Sequence, residues 1–211
     1  MPLQQNQVAS GIGSASLSPQ TLIAARAGQL GDAIVSELHG RYYETSYRKN
    51  LFAGASQVAA TTTVGLATTY TGLCLYNPIG SSVNLVVNKV GYAFIVAFPA
   101  AAAIGLMAGY NAATAVSGVT AGTVVSEFLG QPVGQGLVAT AITMPTAPTL
   151  RMLLGSGLTG AITTEEAVSG ETIDLEGSIV IPPGGYLAFY TSTVSGTSGF
   201  FGSFQWEEVP V

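Results

Sequence analysis

Catalysis needs titratable or nucleophilic groups brought together, and this 211-residue chain supplies few of them. It has one histidine, His39, and one cysteine, Cys74. A Ser-His-Asp triad would have to use His39, yet no G-x-S-x-G occurs, and His39 falls in a segment that reads as an arm. Zinc sites take three or four His, Cys or carboxylate ligands, so one histidine and one cysteine are too few. The lone cysteine rules out an intramolecular disulfide, and Leu73 and Leu75 beside it make it a small buried hydrophobe. The one dense polar cluster is Glu165, Glu166, Glu171, Asp174 and Glu176. Calcium loops space their acids as D-x-D-x-D around a glycine turn, which is missing here. Glycoside hydrolysis asks for two carboxylates about 5–10 Å apart across a sugar cleft, and aromatic residues to stack a sugar are scarce nearby. A solvated or partner-facing strand edge fits these acids better, and charged edges also block stray sheet pairing. Gly134-Gln135-Gly136-Leu137-Val138-Ala139 matches the G-x-G-x-x-A form of the dinucleotide fingerprint. That fingerprint must follow a strand, open a helix and meet an acid about 20 residues on. Here Pro132 precedes it, Pro145 follows and the acid is absent, so chance among 27 glycines accounts for the match. The chain reads as non-enzymatic, with no metal and no cofactor.

Charged residues make up only 8% of the chain, against about 25% in ordinary soluble domains. Ala, Gly, Thr and Ser take their place. Such a surface has little charge repulsion and suits a protein that covers itself with neighbouring subunits. The net charge of −5 is uneven: residues 1–50 and 51–160 each carry +1, while 161–211 carry −7 with no base. Nucleic-acid binding needs clustered Lys and Arg, which are not supplied, so no nucleic-acid partner is expected.

These residues need a scaffold, and the spacing of apolar residues predicts strands. In residues 72–98, Leu73 and Leu75 alternate with Cys74 and Tyr76, and Asn77-Pro78-Ile79-Gly80 has turn chemistry. Val83, Leu85 and Val87 then alternate with Ser82, Asn84 and Asn88, Val86 being the exception, which predicts a hairpin with one buried face. At Asn88-Lys89 the phase slips by one, and Val90, Tyr92 and Phe94 take over the apolar face, as at a β-bulge. Further strands are predicted at 53–64, 104–108, 137–144, 150–154, 173–176, 178–181, 186–193 and 200–209. Leu150, Met152 and Leu154 are expected to share a face, as are Phe200, Phe204 and Trp206. Pro182-Pro183-Gly184-Gly185 suits a type II turn. Residues 91–110 are long enough to cross a bilayer and carry no charge. Pro99 mid-span, strand-type alternation and the lack of flanking bases favour two packed strands instead, so no membrane partner is expected. The fold class is therefore all-β, a single β-sandwich over 51–211 with an extended N-terminal arm over 1–50. Fully extended, that arm would reach about 165 Å at ~3.3 Å per residue.

Residues 31–49, GDAIVSELHGRYYETSYRK, with the continuation NLFAGAS, resemble the N-terminal segment of small virion proteins of tailed bacteriophages. Residues 72–90 and 181–193, IPPGGYLAFYTST, are similar to strands of the same group. The resemblance implies a jelly-roll decoration or cement protein of the virion, assembled in the host cytoplasm. Its expected partners are itself, as a homotrimer, and the major capsid protein or other virion proteins. The arm would reach them through Arg41, Tyr42, Tyr43, Tyr47, Arg48 and Lys49, since Tyr and Arg dominate interface energetics. The alternative is a tail or fibre module recognising host-surface glycan through a loop at 193–201.

Overall fold

The structure is a computed structural model that describes residues 40–96, 98–157 and 170–211. His39, Glu165, Glu166 and the arm before Gly40 lie outside the described residues. The chain divides into two compact units, Met1–Arg41 and Tyr42–Val211. The second opens with a short helix, α1 (Tyr43–Tyr47), so residues 43–47, expected to be extended, make a helical turn. Among the described residues thirteen strands follow: β1 (Leu51–Ala55), β2 (Thr69–Tyr70), β3 (Cys74–Tyr76), β4 (Val83–Phe94), β5 (Ala102–Tyr110), β6 (Thr120–Ala121), β7 (Thr123–Ser126), β8 (Leu137–Thr140), β9 (Ile142–Thr143), β10 (Thr149–Gly157), β11 (Gly170–Ile181), β12 (Gly185–Thr191) and β13 (Phe200–Pro210).

They form two antiparallel sheets, β11-β4-β13-β1-β7 and β10-β5-β12-β3-β8-β6, with β2 and β9 pairing separately. Taking the eight principal strands alone, β1-β13-β4-β11 faces β3-β12-β5-β10, which is the strand order of a jelly roll, two interlocked Greek keys. The sandwich expected from alternation is thus present. Residues 111–148, between β5 and β10, add β6, β7 and β8 to the sheet margins, and the four-residue β7 was not foreseen.

The sheets meet over an aromatic core. Phe189 of the six-stranded sheet packs 5.2 Å from Phe200 and 4.9 Å from Phe204, ring centre to ring centre. Phe200, Phe204 and Trp206 share the inward face of β13 as predicted, all at most 1% exposed. Each buried aromatic removes about 150–250 Å² from water, so these rings dominate the apolar driving force. The predicted bulge is also present. Lys89 pairs with Gln205 but Val87 with Trp206, so Asn88 is the extra residue that returns Leu85 and Val87 to the inner face.

The predicted hairpin is corrected. β3 pairs with β12 and β8, whereas β4 pairs with β11 and β13, so the chain changes sheets between them. The turn lies one residue later than expected, closed by the Ser81 N–H to the Pro78 carbonyl at 3.0 Å. Asn77 explains the crossing: its side-chain amide donates to the carbonyls of Val83 (2.7 Å) and Ile181 (3.0 Å), tying the corner to the end of β11. The type II turn is as predicted, with Gly184 at φ 87° and the Gly185 N–H on the Pro182 carbonyl. Residues 91–94 close β4 and residues 102–110 form β5 in the opposite sheet, and no helix among the described residues is long and apolar enough to cross a membrane.

A third layer covers the outer face of the six-stranded sheet. Cys74, Ala188 and Met107 are cross-strand partners on that face, Ala139 continues the row, and all four are 0% exposed. Tyr70 of β2 and Met144 beside β9 are also buried in this cluster. The Tyr186 hydroxyl donates to the Thr146 carbonyl at 2.6 Å, fixing the segment after β9 to the sheet.

Candidate functional site

The segment that joins the arm to the sandwich is built against the five-stranded sheet. Lys89 of β4 and Asp174 of β11 are cross-strand partners. The Tyr42 hydroxyl lies 2.9 and 2.8 Å from the two Asp174 carboxylate oxygens, and the Lys89 ammonium sits 4.7 Å from the centre of the Tyr42 ring. Cation over ring and hydroxyl on carboxylate together clamp this tyrosine. Further along, Tyr43 stacks on Tyr47 with ring centres 5.9 Å apart, and Tyr47 approaches Phe128 at 6.4 Å. The Arg48 guanidinium bonds Glu44 at 2.7 Å, and Lys49, at φ 65°, lies 5.8 Å over the Phe128 ring. Five of the six residues expected to reach a partner therefore belong to the sandwich unit. Arg41 is exposed and ends the first unit.

The described acids, Glu171, Asp174 and Glu176, all lie exposed on β11, the margin of the five-stranded sheet. Glu171 accepts from the Tyr92 hydroxyl at 3.4 Å. Burial first, then the Glu171 charge, hold that hydroxyl above its ordinary pKa. Asp174 also accepts the Glu176 N–H at 2.9 Å, which supports Glu176 and Gly177 at positive φ where pairing with β4 passes from Asp174–Lys89 to Ile179–Val87. Among the described residues no group of three or more His, Cys, Asp or Glu could hold a metal ion.

Two further constellations stand out. The first is the Gly134-Gln135-Gly136 loop, which leads into β8 and not into a helix. Glu208 points inward from β13 and is 8% exposed. Its carboxylate accepts the Gly136 N–H at 2.8 Å and the Trp206 indole N–H at 3.4 Å. Gln135 accepts the Ser82 N–H at 3.0 Å from the β3–β4 corner. The second holds the loop suggested for glycan. Thr62 and Ser195 exchange backbone N–H to hydroxyl bonds of 2.8 and 3.0 Å, and Ser198 donates to the Thr61 hydroxyl at 2.9 Å. Residues 192–199 are pinned to residues 61–62 by these side chains.

No known protein family, curated protein or solved structure matches this chain. Fold and surface chemistry must carry the functional argument. Sequence reading overlooked Glu208, although an acid two residues beyond Trp206 that continues the period-two row of Phe204 and Trp206 signals an inward-facing carboxylate. It also overlooked the Tyr42–Asp174 bond, for which a separation of 132 residues leaves no local signal.

Proposed function

We propose that this chain is a structural protein of a bacteriophage particle, a decoration or cement protein that binds the outer shell as a homotrimer. The observation that carries the reading is the jelly-roll strand order. Viral capsid domains use that architecture, as do lectins and cupins, so the inference from fold is by analogy. The surface narrows it. Val58, Val64, Leu66, Ile95, Val96 and Val194 are all exposed, and they lie in loops at one end of the sandwich that contain no charged residue. Leu66 is held at φ 66°, an uncommon conformation for a bulky residue that only surrounding structure can maintain. Exposed apolar patches of this kind mark sites of association. The resemblance of residues 31–49, 72–90 and 181–193 to phage virion proteins points the same way.

The chain itself is an assembly element and not a catalyst, and the segment Arg41–Lys49 joins it to its neighbours. Purified particles give the test. The full-length protein should co-sediment with them at a fixed copy number, and it should sediment as a trimer when free. A stable monomer that neither binds nor stabilises particles would sink the proposal. Saturable binding on a glycan array with no particle-stabilising effect would favour the tail or fibre module instead.

A further inference from the structure

We propose that the cleft at the open margin of the sandwich binds an extended, apolar peptide segment of a partner protein through a carboxylate on that segment. This goes beyond the shell reading and does not depend on it. A cleft of about 300 Å³ opens where the two sheets end together, between β5, β10 and β11. Its walls include Ala108, Tyr110, Ile179, Val180 and Tyr186, and Arg151 stands at its rim. Four cations belong to the sandwich unit. Arg48 pairs with Glu44, Lys49 lies over Phe128, and Lys89 lies over Tyr42. Arg151 alone among them has no such partner among the described residues.

The backbone places that arginine by design of the strand. Pairing passes from Leu150 with Met107 to Met152 with Leu106, leaving Arg151 as the extra residue of a β-bulge. Bulges re-aim a side chain and turn the strand at that point. Beside it, β11 is the last strand of its sheet among the described residues, so the outward backbone groups of residues 178–180 have no strand partner there, while the Ile181 carbonyl takes the Asn77 amide. Tyr110 and Val180, which line the same cleft, are exposed. An extended peptide fits these three features together. Its main chain pairs with the β11 margin, an aliphatic side chain enters the cleft, and its carboxylate meets the guanidinium, the planar fork suited to that anion.

The test uses the full-length chain labelled with ¹⁵N and two N-acetylated, C-amidated hexapeptides. One is Thr-Val-Glu-Val-Thr-Val, and the other carries Gln in place of Glu. The Glu peptide should shift the amide signals of 178–181 and of Arg151, and bind about fivefold tighter than the Gln peptide, the margin of a charge-assisted bond over a neutral one. Arg151→Gln should remove that difference while leaving the rest of the spectrum in place. Equal affinity of the two peptides, shifts confined to other surfaces, or no binding at millimolar peptide would each overturn the proposal.

Discussion

Replacing Glu208 should separate what its charge does from what its oxygen does. Glu208 is 8% exposed, and its carboxylate takes the Gly136 N–H at 2.8 Å. Gly136 is itself buried, and a side chain there would press on Trp206 and Leu85. In Glu208→Ala the donor is stranded, which costs about 1–3 kcal/mol for a buried polar group. The weaker bond from the Trp206 indole, at 3.4 Å, goes with it. A loss of about 2–3 kcal/mol lowers the melting temperature by roughly 5–10 °C for a unit of this size. Glu208→Gln keeps a carbonyl acceptor and forfeits only the charge assistance, about 1 kcal/mol or ~3 °C. Thermal melts rank the two variants, and amide hydrogen exchange at Gly136 locates the effect. Exchange there should accelerate in the alanine variant and stay slow in the glutamine variant. An alanine variant with unchanged Gly136 exchange would refute the role given to the Glu208–Gly136 bond, as would a glutamine variant as unstable as the alanine one.

Asn77→Ala should cost about 1–3 kcal/mol in urea unfolding, because the carbonyls of Val83 and Ile181 lose a shared donor at the sheet-changing corner. Cys74 should resist iodoacetamide in the folded protein and react once unfolded, since it is fully buried and burial pushes its thiol pKa far up. Burial also holds the Glu207 carboxyl above its ordinary 4.5. Its contribution to stability is therefore complete below that value and lost as pH rises through the higher folded one, because the folded state then carries a desolvated charge. Glu207→Gln should flatten that part of the stability–pH curve measured by chemical unfolding.

Much of the fold was legible because period-two alternation reports directly on which face is buried. The slip at Asn88 is the clearest case, since the change in phase placed the bulge at the residue where pairing with β13 skips. Turn chemistry at 182–185 was equally informative, because a glycine at positive φ is a local requirement. The corner at 77–81 misled for the complementary reason. Its residues specify a reversal of the chain and say nothing about whether the flanking strands pair or part into different sheets. Leu150, Met152 and Leu154 were expected on one face, but bulges at Arg151 and Leu154 break the alternation within β10. Tyr42, Asp174 and Glu208 draw their roles from partners dozens of residues away, which no local pattern records.

The position of β13 governs how the sandwich can be made. This strand, residues 200–210, lies between β4 and β1 in the centre of its sheet, and β1 ends at residue 55. Folding must therefore close a loop of nearly the whole domain before the five-stranded sheet has a middle. Non-local pairing of this kind is slow, since chain entropy is lost before contacts compensate for it. Until residues 200–210 are available, β4 and β1 each expose an unpaired margin to other chains, with Lys89 the one charged side chain on the two strands. A nascent chain with this topology is prone to aggregate, and production at low temperature or with chaperones in excess should raise its soluble yield.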